Sequence, residues 1–201
     1  MVISNEEELR ALYGWPSGRA KSKVLTQLEK HAKNFILHSP FFVLSTHDQF
    51  GKMDASPRGG KPGFVHMLDE QTLLVPDAKG NNRVDSLVNI VETGAVGCLF
   101  LIPGIDETLR INGKAQISTK EEFLSRFSEE QNPPKACIVI NIEEVFLHCA
   151  KALMRSELWK DTHRVARPYF PTMGAMLNEQ LGLKKVAESQ EEMVKRYQKD
   201  L

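Results

Sequence analysis

The sequence predicts an α+β protein whose core is an antiparallel β-barrel, closed or partly closed, with helices flanking it. Three observations lead there. Six or seven short segments between residues 41 and 148 are rich in Val, Ile, Leu and Phe and are punctuated by Gly, Pro or Asp, the texture of short strands joined by turns. Only two helical patterns interrupt them, so strands and helices do not alternate as a doubly wound sheet requires. The remaining helical spacing is confined to the two ends of the chain, and a barrel is the usual way for this many antiparallel strands to limit exposed edges.

Taken in order, Ser4 is placed to cap a short acidic helix in NEEELRALY, which Gly14, Trp15 and Pro16 stop. A longer helix is expected over residues 19–37, with Val24, Leu28, Ala32, Phe35 and Ile36 along one side, ended by His38, Ser39 and Pro40. The strands follow: FFVLST, KMDASPRGG, GFVHML, TLLVPD, AVGCLFLIPG, ETLRINGKAQIS and KACIVINIEEVFLH. In the last of these Ile138, Ile140 and Ile142 alternate with Val139, Asn141 and Glu143, so part of the strand is expected to be buried on both faces. One interrupting helix begins at Asn82, with Val84, Leu87, Val88 and Val91 on a common apolar face; the other is KEEFLSRFSEE. AKALMRSELW, TMGAMLNEQLG and ESQEEMVKRYQKDL are expected as closing helices. With no repeat, low-complexity tract or clear linker, a single domain is expected over residues 1–201, its barrel core at about 41–150 with helical N- and C-terminal extensions.

Composition narrows the function classes. The chain carries 26 basic and 26 acidic residues, so it has no global electrostatic case for nucleic acid or an anionic membrane, and any anion site must be local. The longest apolar run, AVGCLFLI, is too short to span a bilayer, and the acidic N-terminus lacks the charged and apolar regions of a signal peptide. Cys98, Cys137 and Cys149 are odd in number and widely spaced, which fits reduced thiols in a cytoplasmic protein. No CxxC, HExxH or paired-histidine spacing occurs, so no metal site is expected.

Four stretches could carry a ligand, and each has a purely structural alternative. In PDAKGNNRVDSLVNI, Asn82 reads as a helix N-cap, Gly80 permits close backbone approach and Arg83 offers a donor fork; a helix start of this kind seats anions, or it is simply a well-capped helix. In DASPRGGKPGF, Ser56 and Arg58 are two apart and point to one side of an extended chain, as a pair of donors or as the polar end of a hairpin. In ETLRINGKA, Thr108, Arg110 and Asn112 share a face opposite Leu109 and Ile111, which also describes any half-exposed strand. In HCAKALMRSELW, Arg155 and Trp159 stand four apart, as a cation and aromatic that could flank a planar ligand or merely stack on the surface. His148 and Cys149 are adjacent, so their side chains diverge and do not form a catalytic pair. No acid, base and nucleophile assemble, and the catalytic residues stay unknown. The donors present suit a phosphorylated, planar organic molecule.

In order and spacing, SPRGGKPGFVHMLDEQTLLVPDAKGNNRVDSLVNI, GCLFLIPGIDETLRINGKAQIS and HCAKALMRSELW resemble the pyridoxamine 5′-phosphate oxidase-like family of FMN-binding split barrels. The closer likeness is to a bacterial branch with SPRG, PG-x-x-ETLR-x-NG and HC-x-KA-x-x-RS-x-LW patterns. The resemblance runs from about residue 41 to 159. It implies a six-stranded split barrel, a homodimer, and one FMN in each of two clefts at the subunit interface. Ser56 and Arg58 match the first phosphate-gripping element, and Asn82 with Arg83 match the second, where the oxidase has Ser-Arg-Lys. By the same likeness Val75 and Pro76 line the isoalloxazine, Thr108 stands for a flavin-contacting glutamine, and Arg155, Ser156 and Trp159 reach the flavin across the interface. The oxidase's substrate-binding arginine and histidine have no counterpart in RVARPYFPTMGAM, so what the resemblance implies is the cofactor and a flavin-dependent oxidoreductase, not the oxidation of pyridoxamine phosphate. A non-catalytic flavin carrier or sensor, and a split barrel holding haem or a deazaflavin, are the alternatives.

Overall fold

The computed structural model describes residues 2–200. Seven strands, β1 (Phe41–His47), β2 (Met53–Gly59), β3 (His66–Met67), β4 (Thr72–Pro76), β5 (Ala95–Leu101), β6 (Thr108–Ser118) and β7 (Cys137–His148), form one antiparallel sheet in the order β2-β1-β5-β6-β7-β4-β3. The expected α+β split barrel is thus present, with one strand more than six. The extra strand is the two-residue β3, which pairs only with Leu73 and Leu74.

The sheet curls until its edges approach. From Arg58 on β2 the paired positions run through Phe42, Phe100 and Leu109 to Leu147 on β7, whereas Pro76 on β4 pairs with Cys137 at the opposite end of β7. Yet Arg58 Nη1 donates to Asp77 Oδ1, the residue after Pro76, at 3.0 Å. The two edges therefore meet with a large stagger, as the tilted strands of a barrel do. Among the described residues no backbone ladder joins β2 to β4; a side-chain ion pair bridges the gap, and the barrel is split there.

Strand alternation fills the interior. Phe42 and Leu44 on β1, Phe100 on β5, Leu109 and Ile111 on β6, and Ile138 and Ile140 on β7 are fully buried, with the rings of Phe42 and Phe100 stacked at 4.7 Å. Among the described residues every buried apolar one lies between Leu28 and Val145. A bulge re-phases β7: Asn112 faces Glu144 and Gly113 faces Ile142, so Glu143 is skipped. Residue 113 must be glycine, since a Cβ there would lie 2.0 Å from the Asn141 carbonyl oxygen. Before the bulge the even-numbered isoleucines point inward; after it Val145 takes the inward place, and Phe146 and His148 stand on the other side.

The helix expected over residues 19–37 is broken into α2 (Arg19–Ser22) and α3 (Lys30–His38). Between them Leu25 makes a two-bond bridge to Val145, at 3.0 and 2.8 Å, on a part of β7 that β4 does not reach. Glu29 restarts the helix by accepting from the backbone of His31 and Ala32. Tertiary pairing here overrides a continuous helical pattern. The helix before these, α1 (Glu6–Tyr13), is capped by Asn5, whose side chain accepts from Glu8 N at 2.9 Å, and not by Ser4.

The helices within and after the barrel are α4 (Asp85–Thr93), α5 (Glu121–Leu124), which runs into a single 3₁₀ turn at Ser125–Phe127, α6 (Lys151–Ser156), α7 (Met173–Gln180) and α8 (Gln190–Tyr197). The last three bury no residue. Beyond α8 the chain returns to the barrel, where Asp200 pairs with Lys79 and the Lys199 carbonyl accepts from Asn132. No helix among the described residues is long and apolar enough to cross a membrane.

Candidate functional site

The gap between β2 and β4 gathers the candidate anion-binding residues. Along β2 the alternation sets Asp54, Ser56 and Arg58 on the less exposed side, as their two-residue spacing requires. The Arg58 side chain is 17% exposed and that of its partner Asp77 25%. Asp77 takes only Nη1 of the guanidinium, and Nε is enclosed with no partner. An enclosed donor without an acceptor is costly, and a guanidinium fork with free donors suits a phosphate. Asp77 carries no motif of its own; its position directly after the Pro that ends β4 is the one signal the sequence offers for it.

The turn after Asp77 departs from expectation. Asn82 is not the N-cap of α4. It adopts the left-handed conformation, φ 62°, which Asn tolerates better than most residues. Asn81 closes a tight turn by accepting from Arg83 N at 3.1 Å, and Val84 takes the cap position without a side-chain bond. Arg83 is 77% exposed and holds Asp85 through Nε and Nη2, at 3.1 and 2.8 Å. With Lys79 on Asp200, each cation of the seat already has a carboxylate.

The buried face of α4 is also not the predicted one. Ser86, Asn89 and Ile90 are buried, with Ser86 Oγ donating to Asp54 Oδ2 at 2.6 Å and Asn89 Nδ2 to Thr46 Oγ1 at 2.9 Å. The barrel surface under the helix presents Asp54 and Thr46, so a polar face docks there. Leu87 still packs against the core, but Val84, Val88 and Val91 are left 47%, 47% and 75% exposed.

The other predicted residues lie apart from this gap within one chain. Val75 is fully buried in the core and Pro76 is partly accessible. Thr108 is buried opposite His148, on a strand separated from β2 by β1 and β5. Glu157, with φ 48°, ends α6, so Arg155 and Trp159 do not share a helix face as expected. Ser156 Oγ donates back to Leu153 O, and the Trp159 indole donates to Ile105 O at 2.9 Å, pinning this segment to the loop between β5 and β6.

Burial favours the uncharged forms of two thiols and a histidine of the barrel. Burial pushes the Cys98 thiol up to about 12; burial, and then the charge of Asp77, raises Cys137. His66 stacks on Phe127 at 4.4 Å, and burial followed by Arg126 lowers its pKa. Among the described residues no cluster of three or more metal-ligating side chains occurs.

The structure is similar to HupZ of Group A Streptococcus, at 19% identity over 60% of this chain and 93% of that one, with a TM-score of 0.51. It also matches a pyridoxamine 5′-phosphate oxidase candidate from Lactobacillus delbrueckii (19%, 61% and 95%, TM-score 0.48). An FMN-binding protein from Syntrophomonas wolfei matches at 17% identity over 58% and 80%, with a TM-score of 0.44. No match was found among curated proteins. The likeness to HupZ is one of fold. The family model described as pyridoxamine 5′-phosphate oxidase matches residues 28–149, the same stretch that supplies the barrel and its core, and the chain belongs to that family.

Proposed function

We propose that the chain binds FMN by its phosphate at the gap between β2 and β4 and is an FMN-dependent oxidoreductase. The observation that carries this is Arg58, held inside the gap with one nitrogen on Asp77 and Nε unpartnered, beside Ser56 on the same strand face. Membership of the pyridoxamine 5′-phosphate oxidase family supports the same reading. When bound, FMN supplies hydride transfer at its N5. The chain's own part is to bind and orient. Arg58 and the Ser56 hydroxyl engage the phosphate, Asp77 keeps the guanidinium in place, and Asn82 and Arg83 border the seat from the adjoining turn. Pro76 and the backbone at Val75 border the ring, while Thr108, Arg155, Ser156 and Trp159 act from a partner subunit.

A homodimer with FMN at its interface belongs to this proposal. The exposed stripe of Val84, Val88 and Val91 supports it, because an apolar helix face next to the seat calls for a cover. The buried, unpaired Cys98 and Cys137 suit the cytoplasm. Titration of the purified protein with FMN, FAD, a deazaflavin and haem tests the cofactor. Saturable binding with FMN tightest is expected, and no flavin spectrum with any of them overturns the proposal. Flavin-dependent NAD(P)H consumption separates an oxidoreductase from a carrier. A single-subunit mass in the FMN-bound state would remove the dimer.

A further inference from the structure

The outward side of β6 and β7 carries a second group of cations, and it differs from the first in that no carboxylate pairs with them among the described residues. Arg110 and Phe146 are cross-strand partners, and the Arg110 guanidinium lies 5.2 Å from the centre of the Phe146 ring. Lys23 Nζ lies 5.1 Å from the same centre. Neither cation forms an ion pair among the described residues. One Lys23 proton goes to the Leu147 carbonyl at 3.0 Å, which leaves two donors free.

We propose that Lys23, Arg110 and Phe146 form a binding site for a small anionic molecule, a carboxylate or phosphate monoester, separate from the gap between β2 and β4. Two like charges on one ring repel each other and are favoured together when an anion joins them, while the ring offers a flat apolar contact beside the charged end. A carboxylate on this face, Glu144, is engaged by Asn112 Nδ2 at 2.9 Å. The local field is positive in a second way: the pKa of His148, one alternation beyond Phe146, is lowered by burial and then by the charges of Lys23 and Arg110, with no acid acting on it. Its Nδ1 is enclosed and unpartnered.

Three separate features of the fold converge to build this group. The bulge at Gly113 turns Phe146 and His148 outward. The break between α2 and α3 frees Lys23 from a helix, and the bridge from Leu25 to Val145 holds it against β7. Lys23 precedes the residues matched by the family model, whereas Arg110 and Phe146 lie among them. The site shares none of its three residues with the proposed FMN seat and does not depend on that reading.

Titration of the full chain with inorganic phosphate, and separately with acetate, followed through the His148 imidazole by NMR, tests the site. A saturable shift at His148 is expected, weakened about tenfold or more in Lys23→Gln and in Arg110→Gln, as loss of one charged hydrogen bond implies. It is expected to vanish in the double variant and to persist in Arg58→Ala. Saturation by phosphate alone assigns the phosphate class, and saturation by acetate alone the carboxylate class. A shift that grows linearly with salt at every histidine, or that survives in the double variant, overturns the proposal. Lys23 lies outside the sheet and is exposed, so its variant reads out binding even if the β6 substitution unfolds the protein. Loss of FMN binding with this titration intact, or the reverse, tells the two sites apart.

Discussion

Arg58 and Arg83 each hold an aspartate, and the two pairs have little else in common. Arg83 reaches Asp85, two residues away, on an exposed turn. Arg58 reaches Asp77, 19 residues away, and only because the sheet has curled far enough to bring β2 to the end of β4. The first pair can form in almost any conformation of its turn and is screened by water, so it adds little to stability. The second exists only in the closed barrel, in a partly dry place where its charges interact more strongly. A cation-rich stretch therefore does not mark a site by itself; what marks one is a donor that the fold has taken out of water and left incompletely used.

Removing Arg58 should produce the largest effect. Arg58→Ala is expected to weaken FMN binding by about 1.5–3 kcal/mol, roughly tenfold to a hundredfold, read by calorimetric titration; unchanged affinity would place the phosphate elsewhere. Asp77→Asn should act in the opposite direction. With its negative charge gone from beside the phosphate, binding tightens by about threefold to tenfold, a modest Coulomb effect at a partly solvated site, while the urea midpoint falls slightly because the ion pair is lost. A weaker complex would instead mean that Asp77 serves mainly to orient the guanidinium. Arg83→Ala should change FMN affinity by less than about fivefold, as expected for an exposed, locally paired arginine. A loss equal to that of Arg58→Ala would bring the turn into direct contact with the ligand.

The smallest test uses pH. Burial, then Arg126, holds the folded-state pKa of His66 below its ordinary value of 6.5. As pH falls past 6.5 the unfolded chain takes up the proton first, so stability is lost on the acid side and is fully present above it. His66→Gln should flatten that slope in denaturant midpoints measured on either side of pH 6.5. Both arginines keep their charge throughout this range, so the acid loss reports the packing of β3 and Phe127 against β4 and not the anion seat. An unchanged slope would assign the loss to another group.

The sequence was most legible where side-chain alternation alone decides the outcome. Leu109 and Ile111 face inward against Thr108, Arg110 and Asn112 save that Thr108 is also buried, and Ser56 and Arg58 share a side of β2. It was least legible where a partner far along the chain decides. The apolar stripe of α4 looked like its buried face, yet Asp54 and Thr46 on neighbouring strands draw Ser86 and Asn89 inward instead. The run over residues 19–37 has helical spacing throughout, but the uncovered half of β7 takes Leu25 as a strand partner. Trp159 follows a helical pattern that ends at Glu157, because the β5–β6 loop offers its indole an acceptor. Asn82 stands at the expected turn but is not the N-cap, since a tight turn made by Asn81 uses up the residues before the helix.

The bulge opposite Gly113 makes the barrel sensitive to counting as well as to chemistry. Between Ile142 and Val145 two consecutive residues, Glu143 and Glu144, both point to solvent. Deleting either one would remove the extra residue and restore strict alternation with Phe146 and His148 still outward, whereas deleting both would turn them toward the core, carrying the aromatic member away from Lys23 and Arg110. In this part of the strand, then, chain length has a parity. Loss of one residue is taken up by loss of the bulge and preserves the facing, whereas loss of both exchanges inside for outside while leaving the identity of every downstream side chain intact. Sequences aligned by residue similarity alone would not register the difference, yet it decides whether the second group of cations has a ring to gather around.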